Sequence, residues 1–161
     1  MVGSGFARKL RKAADLTWSD WRELAISTQA LLMARIVFAR LPAKDLIARL
    51  QVKAPVEPRG HKQQGVEGYR QDQNLDAGIR RLEWAIGAAA AILPWRTDCL
   101  IRCLAADKIL RRRGLAPEFY LGVNKPLNEG FGAHAWLRCR GIPVTGGESR
   151  EFEVLIGPEN S

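Results

Sequence analysis

The sequence is short of the features that most often announce a function. Three cysteines in 161 residues are too few, and odd in number, for a disulfide framework, which points to a reducing cytoplasm. Two histidines, His61 and His134, leave only two candidates for an imidazole base. Long apolar runs are missing too. The most apolar stretch, residues 24–41, is broken by Arg35 and Arg40, and its charge-free part, Leu24–Ala34, is well short of the roughly 18 residues a membrane span needs. The basic stretch "FARKLRKAADL" (6–16) lacks the uninterrupted apolar core of a secretory signal, and no internal repeat is visible.

What is present reads as one globular domain over residues 1–161. Apolar content of 47% and charged content of 26% exclude a disordered chain. The net charge of +8 describes a surface field suited to an anionic partner, and says nothing of chemistry. Residues 1–51 read as a helical N-terminal region. There Ser19 is placed to cap a helix through about Arg40, Pro42 breaks it, and 43–51 form a second helix. Residues 52–73 hold two prolines and three glycines with few large apolar side chains, so they read as a polar connector. Asn74 is placed to cap a third helix over 75–92, opening a core region 74–161. Beyond Gly114 the period changes. Segments 118–124, 131–139, 142–145 and 151–156 are short, aromatic or β-branched, and separated by Gly, Asn and Pro. Helices followed by strands predict an α+β fold, with the helix 98–113 packed across a small antiparallel sheet.

That helix carries the chemistry. In "DCLIRCLAADKILRRRGL" (98–115), Cys99, Cys103, Ala106 and Leu110 share one face. Cys103 reads as a small core residue. Cys99 stands in the first turn, where unpaired N–H groups and the helix dipole stabilise a thiolate and can also hold an oxyanion. Adjacent Asp98 opposes this with its negative charge. A thiol nucleophile needs a base. His61 lies in the polar connector, whereas His134 sits in "FGAHAWLRC". Alternation there puts Ala133, Ala135, Leu137 and Cys139 on the better core face, and His134, Trp136 and Arg138 on the other. If residues 140–141 tip a hairpin, a two-residue loop pairs His134 with Gly147 and a three-residue loop pairs it with Glu148. Glu148 is the only carboxylate near that position, and so the candidate to orient the imidazole.

Taken in order, "CLIRCLAADKILRRRGL", "FYLGVN" and "AHAWLRCRGIPV" resemble the transglutaminase-like cysteine peptidases of lasso-peptide biosynthesis, over about residues 75–156. The resemblance implies a papain- or transglutaminase-like core with Cys99 as nucleophile and His134 as base. The family's third member is usually an aspartate on the following strand, where this chain has "VTGGES" with Glu148. It further implies a leader peptidase that trims a ribosomally made lasso precursor, so that a separate ATP-dependent cyclase can close the ring. Residues 1–75 show none of the early strands of a leader-binding domain, so leader recognition is assigned to a partner protein. The chemistry needs no cofactor and no metal.

Two other classes remain open in the sequence. Cys99, Cys103, Cys139 and His134 could supply a Cys₃His zinc set, although Cys-x₃-Cys on a helix is an unusual ligand spacing. The +8 charge and "RRR" at 111–113 would suit a non-enzymatic module binding nucleic acid, a membrane surface or a protein. In the peptidase reading no nucleic acid is involved, and a peripheral membrane contact of the cationic 24–41 helix is a minor option.

Overall fold

Thr17, not Ser19, closes the start of the first helix. In the computed structural model, which describes residues 16–51, 66–124, 132–147 and 151–158, Thr17 is extended and its hydroxyl accepts from Asp20 N. The Asp20 carboxylate accepts from Thr17 N at 3.0 Å, completing a reciprocal box. Ser19 cannot do this, because the residue three positions on is Arg22, which has no acceptor. Helix α1 (Trp18–Arg40) runs from this cap, and α2 (Ala43–Gln51) follows the Pro42 break.

Helix α3 (Val66–Ile92) corrects the expected connector: residues 66–73 are helical and Asn74 lies inside the helix rather than capping it. Residues 70–74, within it, are polar and exposed. A helix without an apolar stripe leaves no periodic signal and depends on side-chain pairing. Here Asp72 and Asp76, one turn apart, both bind Arg140, at 2.8 and 3.3 Å. Of the connector as read, 52–65 lie outside the described residues.

Helix α4 (Cys99–Arg112) ends as its sequence implies. Gly114 takes φ +72, and the N–H groups of Leu115 and Gly114 bond back to the carbonyls of Leu110 and Arg111. The chain then enters β1 (Pro117–Asn124), β2 (Gly132–Cys139), β3 (Ile142–Thr145) and β4 (Glu153–Ile156), an antiparallel sheet in the order β3-β2-β1-β4. The fold is α+β, four helices with one sheet.

Arg140 and Gly141, both at positive φ, form the two-residue tip between β2 and β3, pairing Cys139 with Ile142. A bulge follows. Arg138 faces Pro143 but Leu137 faces Thr145, so the edge strand gains a residue just past a proline that cannot donate to the ladder.

Helix α4 packs on α1 at one side and on β2 and β3 at the other. Buried from two directions, it carries Ile101, Cys103, Ala105, Ala106 and Leu110 with no exposed surface. Its alanines fit the close approach of both layers. Ala135, Leu137 and Cys139 of β2 join the same core, as alternation implied, but Ala133 is exposed. Trp136, on the opposite face, is buried as well. Among the described residues no helix is long and apolar enough to cross a membrane.

Candidate active site

Cys99 is the first residue of α4. The Asp98 N-cap is extended, at φ −64 and ψ 159, but its side chain makes no capping bond, and the first turn holds no acid. The open N–H groups of that turn are therefore not claimed by their cap. The approach to the helix is held by Thr97, itself buried, whose carbonyl and hydroxyl accept from Arg102 Nε at 3.1 and 3.2 Å. Cys99 is half-buried against the core edge.

The other two thiols are different in kind. Cys103, one turn along the same face, is fully buried with its Sγ 3.2 Å from Thr145 Oγ1, and burial pushes its thiol up to about 12. Cys139 is also fully buried, donates to the Ala116 carbonyl at 3.8 Å, and is raised by burial to about 11. Neither supplies a thiolate near neutral pH.

His134 lies half-buried on β2, with its Nε2 2.7 Å from the carbonyl oxygen of Gly146. A carbonyl only accepts, so Nε2 is the N–H, and in the neutral ring the free lone pair is on Nδ1. Aromatic rings fix the imidazole from its sides. Phe152 lies 4.9 Å away and Trp136 6.1 Å, and Trp136 stacks on Tyr120 at 5.5 Å with nearly parallel planes. Gly122, directly opposite His134 on β1, makes the room. A Cβ there would stand 2.9 Å from Phe152 Cβ and 3.0 Å from the Trp136 ring.

The elements that carry the two candidates are linked through consecutive residues. Cys103 touches Thr145, and the next residue, Gly146, holds His134. Cys99 is one turn from Cys103 on the same face of α4, whereas His134 lies beside Trp136 on the face of β2 opposite its core residues Ala135 and Leu137. Among the described residues no hydrogen bond joins Cys99 and His134; the ring nitrogen with a partner is the one on Gly146. Glu148, the third residue of the sequence reading, and His61 lie outside the described residues. Sequence reasoning passed over Gly122, Thr145, Gly146 and Phe152. A glycine inside a strand, as at 122, is the one signal that marks such a close approach.

Cys103 and Cys139 are engaged with Thr145 and Ala116, and no group of three His, Cys, Asp or Glu among the described residues could hold a metal ion. In the 111–113 run, Arg111 pairs with Asp107 at 2.7 Å and Arg113 with Glu23 at 2.5 Å, so two of its three cations tie the fold together.

Comparison with known families matches residues 28–157 to the transglutaminase-like superfamily. No curated protein and no solved structure matches the chain.

Proposed function

We infer an activity from one premise: this chain belongs to the transglutaminase-like superfamily. The reading is a cysteine peptidase that removes the leader from a ribosomally made lasso-peptide precursor. The observation that carries the chemistry is the contrast among the thiols: Cys99 alone of the three is not buried, and it stands at a helix start whose N-cap side chain makes no capping bond. The leader-peptidase assignment rests on the motif resemblance around Cys99 and His134.

In this mechanism His134 Nδ1 takes the Cys99 proton and the thiolate attacks the scissile carbonyl. The first-turn N–H groups of α4 hold the oxyanion, and the imidazolium protonates the leaving amine. Water then enters at the thioester carbonyl, gives a proton to the ring, and releases the leader acid and free Cys99. No hydrogen bond joins thiol and ring among the described residues, and such contacts commonly tighten only around substrate.

We assign leader recognition to a separate protein, because the regular elements described ahead of α4 are all helices. An ATP-dependent cyclase would consume the trimmed peptide. Three free cysteines suit a reducing cytoplasm. The test is incubation with a candidate precursor and its leader-binding protein, with mass spectrometry of the products. Cleavage that Cys99→Ala and His134→Ala each abolish supports the reading. Cleavage that survives Cys99→Ala overturns it, and a product joined to an added amine instead of hydrolysed would make the enzyme a transferase.

A further inference from the structure

We propose that the main-chain carbonyl of Gly146 is the group that orients His134, doing the work a carboxylate side chain does in a catalytic triad. The inference rests on the reading of His134 as the base and goes beyond it. It stands on three features. The Gly146 oxygen lies 2.7 Å from Nε2, a hydrogen bond of full strength. Gly146 and Gly147 are both left-handed, at φ +92 and +62, which turns the chain out of β3 immediately after Thr145. A Cβ on Gly146 would stand 2.3 Å from Trp136 Cβ and 2.9 Å from Trp136 Cα, so only a residue without a side chain brings that carbonyl to the ring.

The ends of this short segment are held as well. Thr145 is anchored on Cys103, one turn past Cys99, so a single turn of chain ties the base to the helix of the nucleophile. Trp136 both packs against Gly146 and stacks beside the imidazole. The double glycine is thus a positioning device rather than a mere turn. It fixes the Nε2–H tautomer, leaves Nδ1 to receive the thiol proton, and adds no negative charge beside the imidazolium. Gly146 is a positioning residue.

The test is nuclear magnetic resonance of histidine-labelled protein, which needs no substrate and so stands apart from any failure to find the precursor. With only two histidines, His61→Gln assigns the spectrum. The expected result is a single neutral tautomer, with the proton on Nε2 and the unprotonated signal on Nδ1. A proton on Nδ1, or an averaged pair of tautomers, overturns the proposal. Gly146→Ala should mix the tautomers and lower kcat about tenfold at unchanged KM, the scale of one neutral hydrogen bond. Loss of an orienting carboxylate is worth about 10⁴-fold by comparison. Unchanged tautomer and rate in a folded Gly146→Ala overturn the proposal. Should that variant not fold, Glu148→Gln decides: Nε2 signals that move make the carboxylate the partner, and signals that stay leave the carbonyl as partner.

Discussion

Cys99, Cys103 and Cys139 carry one functional group in three environments, and their reactivities should separate accordingly. Burial holds Cys103 at about 12 and Cys139 at about 11, so at pH 7 roughly one part in 10⁵ and 10⁴ is thiolate, behind a closed core. Iodoacetamide near neutral pH should therefore modify Cys99 first, as peptide mass mapping over time would record. Equal labelling of all three in the folded protein would remove the basis for Cys99 as nucleophile. Gly122 belongs to the same scale. Gly122→Ala sets a Cβ within 3.0 Å of Phe152, Glu153 and Trp136, and should lower activity and disturb the Trp136 fluorescence together.

At the scale of an element, α1 depends on its box. Thr17→Ala removes the hydroxyl that accepts from Asp20 N and should cost about 1 kcal/mol in chemical denaturation at neutral pH. Hydrogen bonds from Thr17, with the Arg81 guanidinium beside it, hold the Asp20 carboxyl below its usual 3.8. A carboxyl depressed in the folded state contributes stability above its unfolded value, lost as pH falls through the folded one. The gap between wild type and Asp20→Asn should accordingly narrow on acidification below about 3.8, and a gap that widens would contradict the cap geometry. Helix α3 shows the opposite economy. Its Asp72 and Asp76 are tied to the β2–β3 tip through Arg140, an exposed link, so Arg140→Ala should cost no more than about 1 kcal/mol.

For the whole molecule, the decisive fact is that α1 and the sheet share one core. Leu31, Leu110 and Leu137 are all fully buried in a single cluster, so the N-terminal helices are part of the platform under Cys99. Leu31→Ala should cost about 2–5 kcal/mol and unfold in one transition, with tryptophan fluorescence and Cys103 labelling moving together. Two separate transitions would divide the chain into independent units. The proposed division of labour is tested at this scale too. Isolated chain should cleave its precursor slowly at low substrate concentration, and a separate leader-binding protein should accelerate it. Full activity alone would place recognition within these 161 residues.

Local chemistry was legible in the sequence wherever a rule acts over a few residues. The α4 face bearing Cys99 and Cys103, its Gly114 stop and the α+β order all follow from helical period, capping and turn preferences, whereas the choice between a two- and a three-residue tip at Arg140 and Gly141 was left to the structure. These depend on neighbours three or four positions apart. The stretch of α3 ahead of Asn74 was not legible as helix, because the exposed residues 70–74 have no apolar period and the partner of Asp72, Arg140, is distant in sequence. The surroundings of His134 were hidden for the same reason. Its contacts come from Gly122, Gly146 and Phe152 on three separate segments, and the β3 bulge after Pro143 shifts the pairing that hairpin counting assumes. Sequence by itself determined which residues could react and on what elements they ride. Only the tertiary structure decided which thiol stays outside the core and which atom holds the imidazole, since burial and hydrogen-bond partnership are properties of chain segments brought together by packing.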